Sequence, residues 1–191
     1  VITNNAGGYS FFRSAAQGWF MRLRFNAVPM DQPGRYFYLR DRQSGDYWSA
    51  SWQPVGNPLG QFKSTCRHGT AYTIIQSSYG GIDAQATYFC PLGKRCECWI
   101  LSVTNTGDGP RKLSAFTFAE LAGDWNTTQD LVNLQYTQYI VDCRMIGGII
   151  SHGFTTNIPE DANGVTGPGS RYTFTGIVGA APSGYDCDRD Q

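Results

Sequence analysis

AYTIIQSSYGGIDAQATYFC, residues 71–90, decides the fold. Two runs, 71–79 and 82–90, flank Gly80-Gly81, and each alternates in side-chain character with a period of two. A Gly-Gly pair lets both turn positions take positive φ, the requirement of a two-residue hairpin turn. The segment therefore predicts a β-hairpin.

Working outward, the same period recurs. Residues 19–25 (WFMRLRF) alternate and stop near Pro29, while 35–40 (RYFYLR) lead into the turn Arg42-Gln43-Ser44-Gly45, after which Tyr47 and Trp48 restart a strand. Residues 97–104 and 112–120 flank a second turn cluster, Asn105-Thr106-Gly107-Asp108-Gly109-Pro110. Residues 134–142 and 149–154 repeat the pattern around Gly147-Gly148. No window longer than about ten residues keeps an apolar stripe at helical spacing. The chain reads as all-β, with short strands and glycine turns that predict a large antiparallel sandwich. The stretch 157–170, with Pro159, Gly164, Gly167, Pro168 and Gly169, reads as a long loop that either carries function or merely connects. There is no internal repeat and no low-complexity tract.

With 191 residues, 41% hydrophobic and 14% aromatic, the chain can bury a substantial core in one domain. Fifteen basic and fifteen acidic side chains cancel, and the basic ones are scattered. That excludes the dense positive patch needed for nucleic acid or an anionic membrane and predicts a neutral partner. No run is long and apolar enough to span a bilayer, and Val1-Ile2-Thr3-Asn4-Asn5 lacks the regions of a signal peptide.

Six cysteines could form three disulfides in a secreted protein, but Cys96 and Cys98, two apart on a strand, point to one face, a geometry poorly suited to a mutual bridge. Reduced thiols and a cytoplasmic location are the expectation. No C-x-x-C pair occurs and only His68 and His152 are available, so no metal site is expected. Asn126-Thr127-Thr128 fits a glycosylation sequon, which matters only if the chain is secreted.

Residues 124–136, DWNTTQDLVNLQY, gather Trp125, Asn126, Gln129, Asp130, Asn133, Gln135 and Tyr136 between apolar, β-prone stretches. A pyranose presents a weakly apolar face and a ring of hydroxyls, so its sites pair an aromatic platform with groups that both donate and accept hydrogen bonds. The same residues also suit an ordinary polar loop with a core tryptophan, and composition leaves both readings open.

Several blocks carry a resemblance. NAGGYSF at 5–11, PGRYFY at 33–38, WSASWQPV at 48–55, RHG at 67–69, VTNT at 103–106, Trp125-Asn126, Asn133-Leu134-Gln135 and YDCDRD at 185–190 occur in one order. Together they resemble the N-terminal region of cellobiose-type disaccharide phosphorylases, glycoside hydrolase family 94. The likeness covers nearly the whole chain.

The resemblance implies a β-supersandwich related to the galactose mutarotase sandwich, here incomplete at both ends. In the family a linker and an (α/α)6 catalytic barrel follow it, so residues 1–191 would be a partial N-terminal domain. The implied reaction is inverting phosphorolysis of a β-linked glucosyl disaccharide, cellobiose or cellobionic acid, to α-glucose 1-phosphate. A carboxylic acid protonates the departing oxygen while phosphate attacks. That acid and the phosphate-binding groups lie on the barrel, so the resemblance implies no catalytic residue in this chain, no cofactor beyond phosphate as a substrate, and an inactive fragment. Glu120, Asp124 and Asp130 are therefore expected in structural or loop roles, and His68 in a turn beside a strand. The family forms homodimers, and its N-terminal domain helps wall the acceptor subsite. Gln135 matches a family glutamine there, whereas Tyr136 replaces the arginine usual in cellobiose phosphorylases, exchanging a charged fork for a hydroxyl and a stacking face. The wording of 46–52 and 133–136 is closer to the cellobionic acid group. Cys187 stands where threonine is usual.

A non-catalytic carbohydrate-binding sandwich is the alternative, using the same aromatic and amide residues. A free module closes its own edges and caps its termini. Val1-Ile2, apolar from the first residue, and an end directly after the 185–190 block predict a truncated domain instead. A disulfide-stapled secreted adhesin would require all six cysteines to pair.

Overall fold

The computed structural model describes residues 1–11, 20–22, 32–121, 141–156 and 169–187. Among the described residues there are strands, turns and irregular segments and no helix, as the alternation predicts. None of them forms a helix long and apolar enough to cross a membrane. The chain divides into two compact units, residues 1–9 with 23–120, and residues 10–22 with 121–191.

The first unit carries β1 (Arg35–Asp41), β2 (Tyr47–Ser49), β3 (Lys63–His68), β4 (Tyr72–Tyr79), β5 (Ile82–Phe89), β6 (Cys98–Asn105) and β7 (Leu113–Ala119). They form two antiparallel sheets, β2-β1-β7 and β3-β4-β5-β6. The hairpin read from residues 71–90 is β4-β5, closing on the pair Tyr79 and Ile82, with Gly80 and Gly81 at φ +56° and +77°. The strands on either side of the Asn105–Pro110 cluster do not pair with each other. β6 pairs with β5, and the chain then crosses to place β7 beside β1. Thr106 secures the crossing by donating its backbone N–H to the Gly81 carbonyl at 2.9 Å.

Period-two alternation dictates which side chains face inward. On β5, Ile82, Ala84, Ala86 and Tyr88 are buried, and on β4 Thr73, Ile75 and Ser77 are. β1 turns Phe37 and Leu39 toward them, and Trp48, Ala50 and Phe62 complete the core. Three rings join the two sheets. Phe37 lies 6.0 Å from Tyr88 and meets Trp99 edge-on at 6.4 Å, while the Tyr88 hydroxyl donates to the Arg35 carbonyl at 3.2 Å. Offset and edge-to-face geometries of this kind add about 0.5–1.5 kcal/mol per pair beyond area burial.

The second unit contains β8 (Val141–Ile146), β9 (Ile149–Thr156) and β10 (Gly169–Gly176) in the order β10-β9-β8, all antiparallel. The Gly147-Gly148 turn joins β8 to β9 with φ +58° and +83°, as read. β10 begins at Gly169, so the loop reading of 157–170 runs two residues into a strand the sequence analysis did not name, and residues 157–168 lie outside the described residues. β3 was also not anticipated. Lys63, Ser64, Thr65, Arg67 and His68 are all exposed on this edge strand, so no apolar face marks it in the sequence. Of the strand expected at 19–25, only 20–22 is described, where Met21 makes an isolated bridge with Leu121. Of the strand expected at 134–142, only 141–142 is described.

One expectation is corrected. Cys143 and Cys187 form a disulfide with their Cα atoms 5.9 Å apart. β8 brings Cys143 to a partner 44 residues away, a separation at which sequence offers no geometric cue. Cys66, Cys90, Cys96 and Cys98 are free, so Cys96 and Cys98 do not bridge each other, and the three-disulfide framework of a stapled adhesin is absent.

Candidate functional site

The acceptor residues expected from sequence, Gln135 and Tyr136, lie outside the described residues, as do Asp124, Trp125, Asn126, Gln129, Asp130 and Asn133. Glu120 is half-buried immediately after β7. Four other described carboxylates in the first unit, Asp41, Asp46, Asp83 and Glu97, make structural contacts, whereas Asp108 is exposed in the turn after β6. Asp41, buried at the end of β1, accepts from the backbone N–H groups of Gln43 (2.7 Å) and Ser44 (3.1 Å) and from Arg111 Nε (2.7 Å). These bonds, the two backbone ones foremost, hold its carboxyl below the usual carboxylate range. Arg111 also donates from Nη1 to the Gly80 carbonyl at 2.9 Å, tying the hairpin turn to β1.

At the opposite end of β1, Arg35 pairs with Glu97, and both side chains are buried. Arg35 Nη1 donates to the Val1 carbonyl at 3.1 Å, and Glu97 Oε1 accepts from Trp99 Nε1 at 2.7 Å. A pair this deep is costly to break from one side, because the remaining charge is left uncompensated. Its role is to fasten the first residues to the sandwich. Asp83 accepts from Ser78 Oγ at 2.6 Å and Asp46 from Tyr79 Oη at 3.0 Å. Asp41 and Glu97 are buried in these contacts, whereas Asp83 is exposed and borders a depression on the four-stranded sheet.

Two open depressions lie on the outer faces of the first unit. The first, about 460 Å³, lies on the four-stranded sheet and is lined by hydroxyls and amides, among them Thr65, Gln76, Gln85, Ser102 and Thr104. Gln76 Nε2 donates to Gln85 Oε1 across the β4-β5 pair at 2.9 Å. The second, about 550 Å³, lies on β2-β1-β7 and is lined by Tyr38, Arg40, Tyr47, Phe116 and Phe118. Burial pushes the Tyr38 phenol up to about 12, so it stays protonated at neutral pH and acts as a neutral hydroxyl. The sequence signal for this aromatic face is the spacing of Tyr38, Phe116 and Phe118 on the paired strands β1 and β7; Tyr36, two residues before Tyr38, is buried and stacks on Phe118 at 6.2 Å.

His68, expected in a turn, is instead the last residue of β3. Its Nδ1 lies 2.9 Å from Thr73 Oγ1 and its Nε2 3.5 Å from Cys66 Sγ. Among the described residues no group of three or more histidine, cysteine or carboxylate side chains is gathered as for a metal ion.

Comparison with known proteins gives a family match described as glycosyl hydrolase 94, supersandwich domain, over residues 1–191. An N,N'-diacetylchitobiose phosphorylase of Vibrio proteolyticus is 38% identical over 191 residues, 100% of this chain and 22% of that protein. A protein of the same name from Vibrio furnissii is 37% identical over 160 residues, 84% of this chain and 20% of its own length. A solabiose phosphorylase of Paenibacillus borealis is 35% identical over 155 residues, 80% and 18% respectively. The chain thus spans about a fifth of the length of these relatives.

Proposed function

The chain belongs to the glycosyl hydrolase 94 supersandwich family, and from that premise we propose that it serves as the N-terminal domain of a longer, inverting disaccharide phosphorylase. The observation that carries this reading is a family match from the first residue to the last, together with three relatives that are all disaccharide phosphorylases. The parent enzyme cleaves a β-linked disaccharide with phosphate, giving an α-sugar 1-phosphate and a free acceptor sugar. A carboxylic acid outside this chain protonates the leaving oxygen, and phosphate, already nucleophilic, needs no general base.

The structural roles of Asp41, Glu97, Asp46 and Asp83 support a domain that contributes binding and assembly rather than the acid. The aromatic face of β2-β1-β7 supports a place within a larger protein, because the outer face of an antiparallel sheet in water is ordinarily polar. In this reading Gln135 and Tyr136 border the acceptor subsite and the parent is a homodimer.

The sugar is the finer question. Cellobiose and cellobionic acid are the substrates implied by motif resemblance, whereas two relatives covering 100% and 84% of the chain act on N,N'-diacetylchitobiose. An N-acetylated disaccharide is therefore the first substrate to test. The assay is phosphate release by the full-length parent from α-glucose 1-phosphate or N-acetyl-α-glucosamine 1-phosphate, with N-acetylglucosamine, glucose and gluconate as acceptors. Release with N-acetylglucosamine is expected. Release with gluconate alone would assign cellobionic acid instead. Silence with every pair would refute the phosphorylase reading and leave a carbohydrate-binding sandwich.

A further inference from the structure

The second unit leaves two aromatic side chains uncovered on one face. Tyr172 and Phe174, two residues apart on β10, are 62% and 65% exposed. Their rings are nearly parallel, with planes 18° apart and centroids 6.3 Å apart. That spacing is close to the two-residue repeat of about 6.6 Å along a strand, so the rings stand in a row. The register sets what lies beside them. Tyr172 is opposite Gly153 on β9, which is opposite Asp142 on β8, and Phe174 is opposite Ser151, which is opposite Arg144. Cross-strand partners share a face, so small residues on the central strand separate a row of rings from a row of polar groups. A Cβ at position 153 would come within 3.0 Å of Tyr172 Cε1, so the glycine is what lets that ring lean over β9. On the polar side, Arg144 Nε donates to Asp142 Oδ1 at 2.9 Å and Nη2 lies 2.6 Å from Oδ2, with both side chains mostly exposed. That chelate uses two of the five guanidinium donors and leaves each carboxylate oxygen a lone pair. Ile146 and Ile149, paired beside the Gly147-Gly148 turn, close the strip at one end.

We propose that this face of β8-β9-β10 binds a neutral, β-linked glycan chain, with Tyr172 and Phe174 as its stacking surface and Asp142 and Arg144 as its hydroxyl contacts. A pyranose with equatorial substituents turns its axial C–H groups into a flat apolar face, which suits the negative face of an aromatic ring. Its vicinal hydroxyls both donate and accept, matching the remaining acceptors of Asp142 and donors of Arg144. Two rings in a row along the strand suit a chain of such units rather than a single sugar. Single-stranded nucleic acid also stacks on exposed rings, but it needs unpaired cations for its phosphates. Among the described side chains Arg144 is the one cation on this face, and Asp142 neutralises it. The site uses none of residues 124–136 and does not depend on the phosphorylase reading.

The test is native affinity electrophoresis of the full-length parent in gels containing hydroxyethylcellulose or glycol chitin, with the apparent dissociation constant read from mobility against polymer concentration. Retardation by at least one polymer is expected, and the double variant Tyr172→Ala, Phe174→Ala should weaken it at least about tenfold. Arg144→Ala should weaken it about fivefold. Tyr172→Phe keeps the ring and should retain binding, which separates loss of the stacking surface from loss of the fold. Phe116→Ala, on the aromatic face of β2-β1-β7, is the control and should bind as the parent does. No retardation, retardation unchanged in the double variant, or retardation lost only in Phe116→Ala would each overturn the assignment. So would self-association of the parent that the double variant abolishes while neither polymer retards it, which would make this face an interface between copies.

Discussion

Replacing Phe37 by alanine tests the sandwich where its two sheets meet. Phe37 is 5% exposed and packs on β5 through Tyr88 and on β6 through Trp99. Loss of a buried phenylalanine costs about 3–5 kcal/mol, the transfer of its ring plus the cavity left behind. Core packing alone gives that figure, so the sharper quantity is the coupling between Phe37 and Trp99. The edge-on ring pair at 6.4 Å and 87° should contribute about 0.5–1.5 kcal/mol beyond burial. A double-mutant cycle of Phe37→Ala and Trp99→Ala isolates it. Amide hydrogen exchange at β1 and β5 is the suitable readout, because a chain of two compact units is not assured of two-state unfolding. Single losses that add to within about 0.3 kcal/mol would refute the packing of the two sheets through these rings.

Gly34→Ala places a Cβ against the Ala6 carbonyl oxygen and 2.6 Å from Gly7 Cα, so the segment that accepts the Arg35 N–H must shift. A cost of about 1–3 kcal/mol and faster exchange of the Arg35 amide are expected, and an unchanged melting temperature would contradict the close approach. Because the folded Asp41 carboxyl titrates below its unfolded value, its contribution to stability is present above the ordinary carboxylate range and is lost as pH falls through the folded value. Asp41→Asn should therefore flatten the acid limb of the stability profile, and parallel profiles for the two proteins would count against the Gln43, Ser44 and Arg111 contacts. In the full-length parent, Gln135→Ala should impair acceptor use far more than sugar 1-phosphate binding, as separate KM values for the two substrates would reveal. Equal losses would remove Gln135 from the acceptor subsite.

How much of this could be read beforehand depended on whether a feature leaves a periodic trace. β4, β5, β1 and the Gly80-Gly81 and Gly147-Gly148 turns were legible because one buried face imposes alternation and positive φ demands glycine. β3 was not, since an edge strand with nearly all its side chains exposed has no apolar partner to impose a pattern. The sheet membership of β6 and β7 was equally hidden. A turn cluster between two strands looks the same whether they pair or part, and only the register shows β7 beside β1. The aromatic depression on β2-β1-β7 was half legible, its residues lying in strands read correctly but their common outward face becoming visible only once β1 and β7 are paired.

The acceptor site is harder to read than the fold for a chemical reason. Saccharide recognition uses asparagine, glutamine, aspartate and tyrosine, the types that ordinary loops also favour, so residues 124–136 gain meaning only through family resemblance. The cysteines mark the same boundary between local and distant geometry. Cys96 and Cys98 are both free, as expected, although Cys96 precedes β6 and the i, i+2 rule of strands does not apply to it, and that rule is silent about Cys143 and Cys187, which are 44 residues apart and are brought together by the fold. Applied to β3, the same rule puts Cys66 and His68 on one face, where Cys66 Sγ and His68 Nε2 lie 3.5 Å apart and His68 Nδ1 lies 2.9 Å from Thr73 Oγ1. Strand periodicity can thus nominate a pair on one face, but only the folded distance decides whether the two side chains meet, and pairs formed across the fold leave no trace in it.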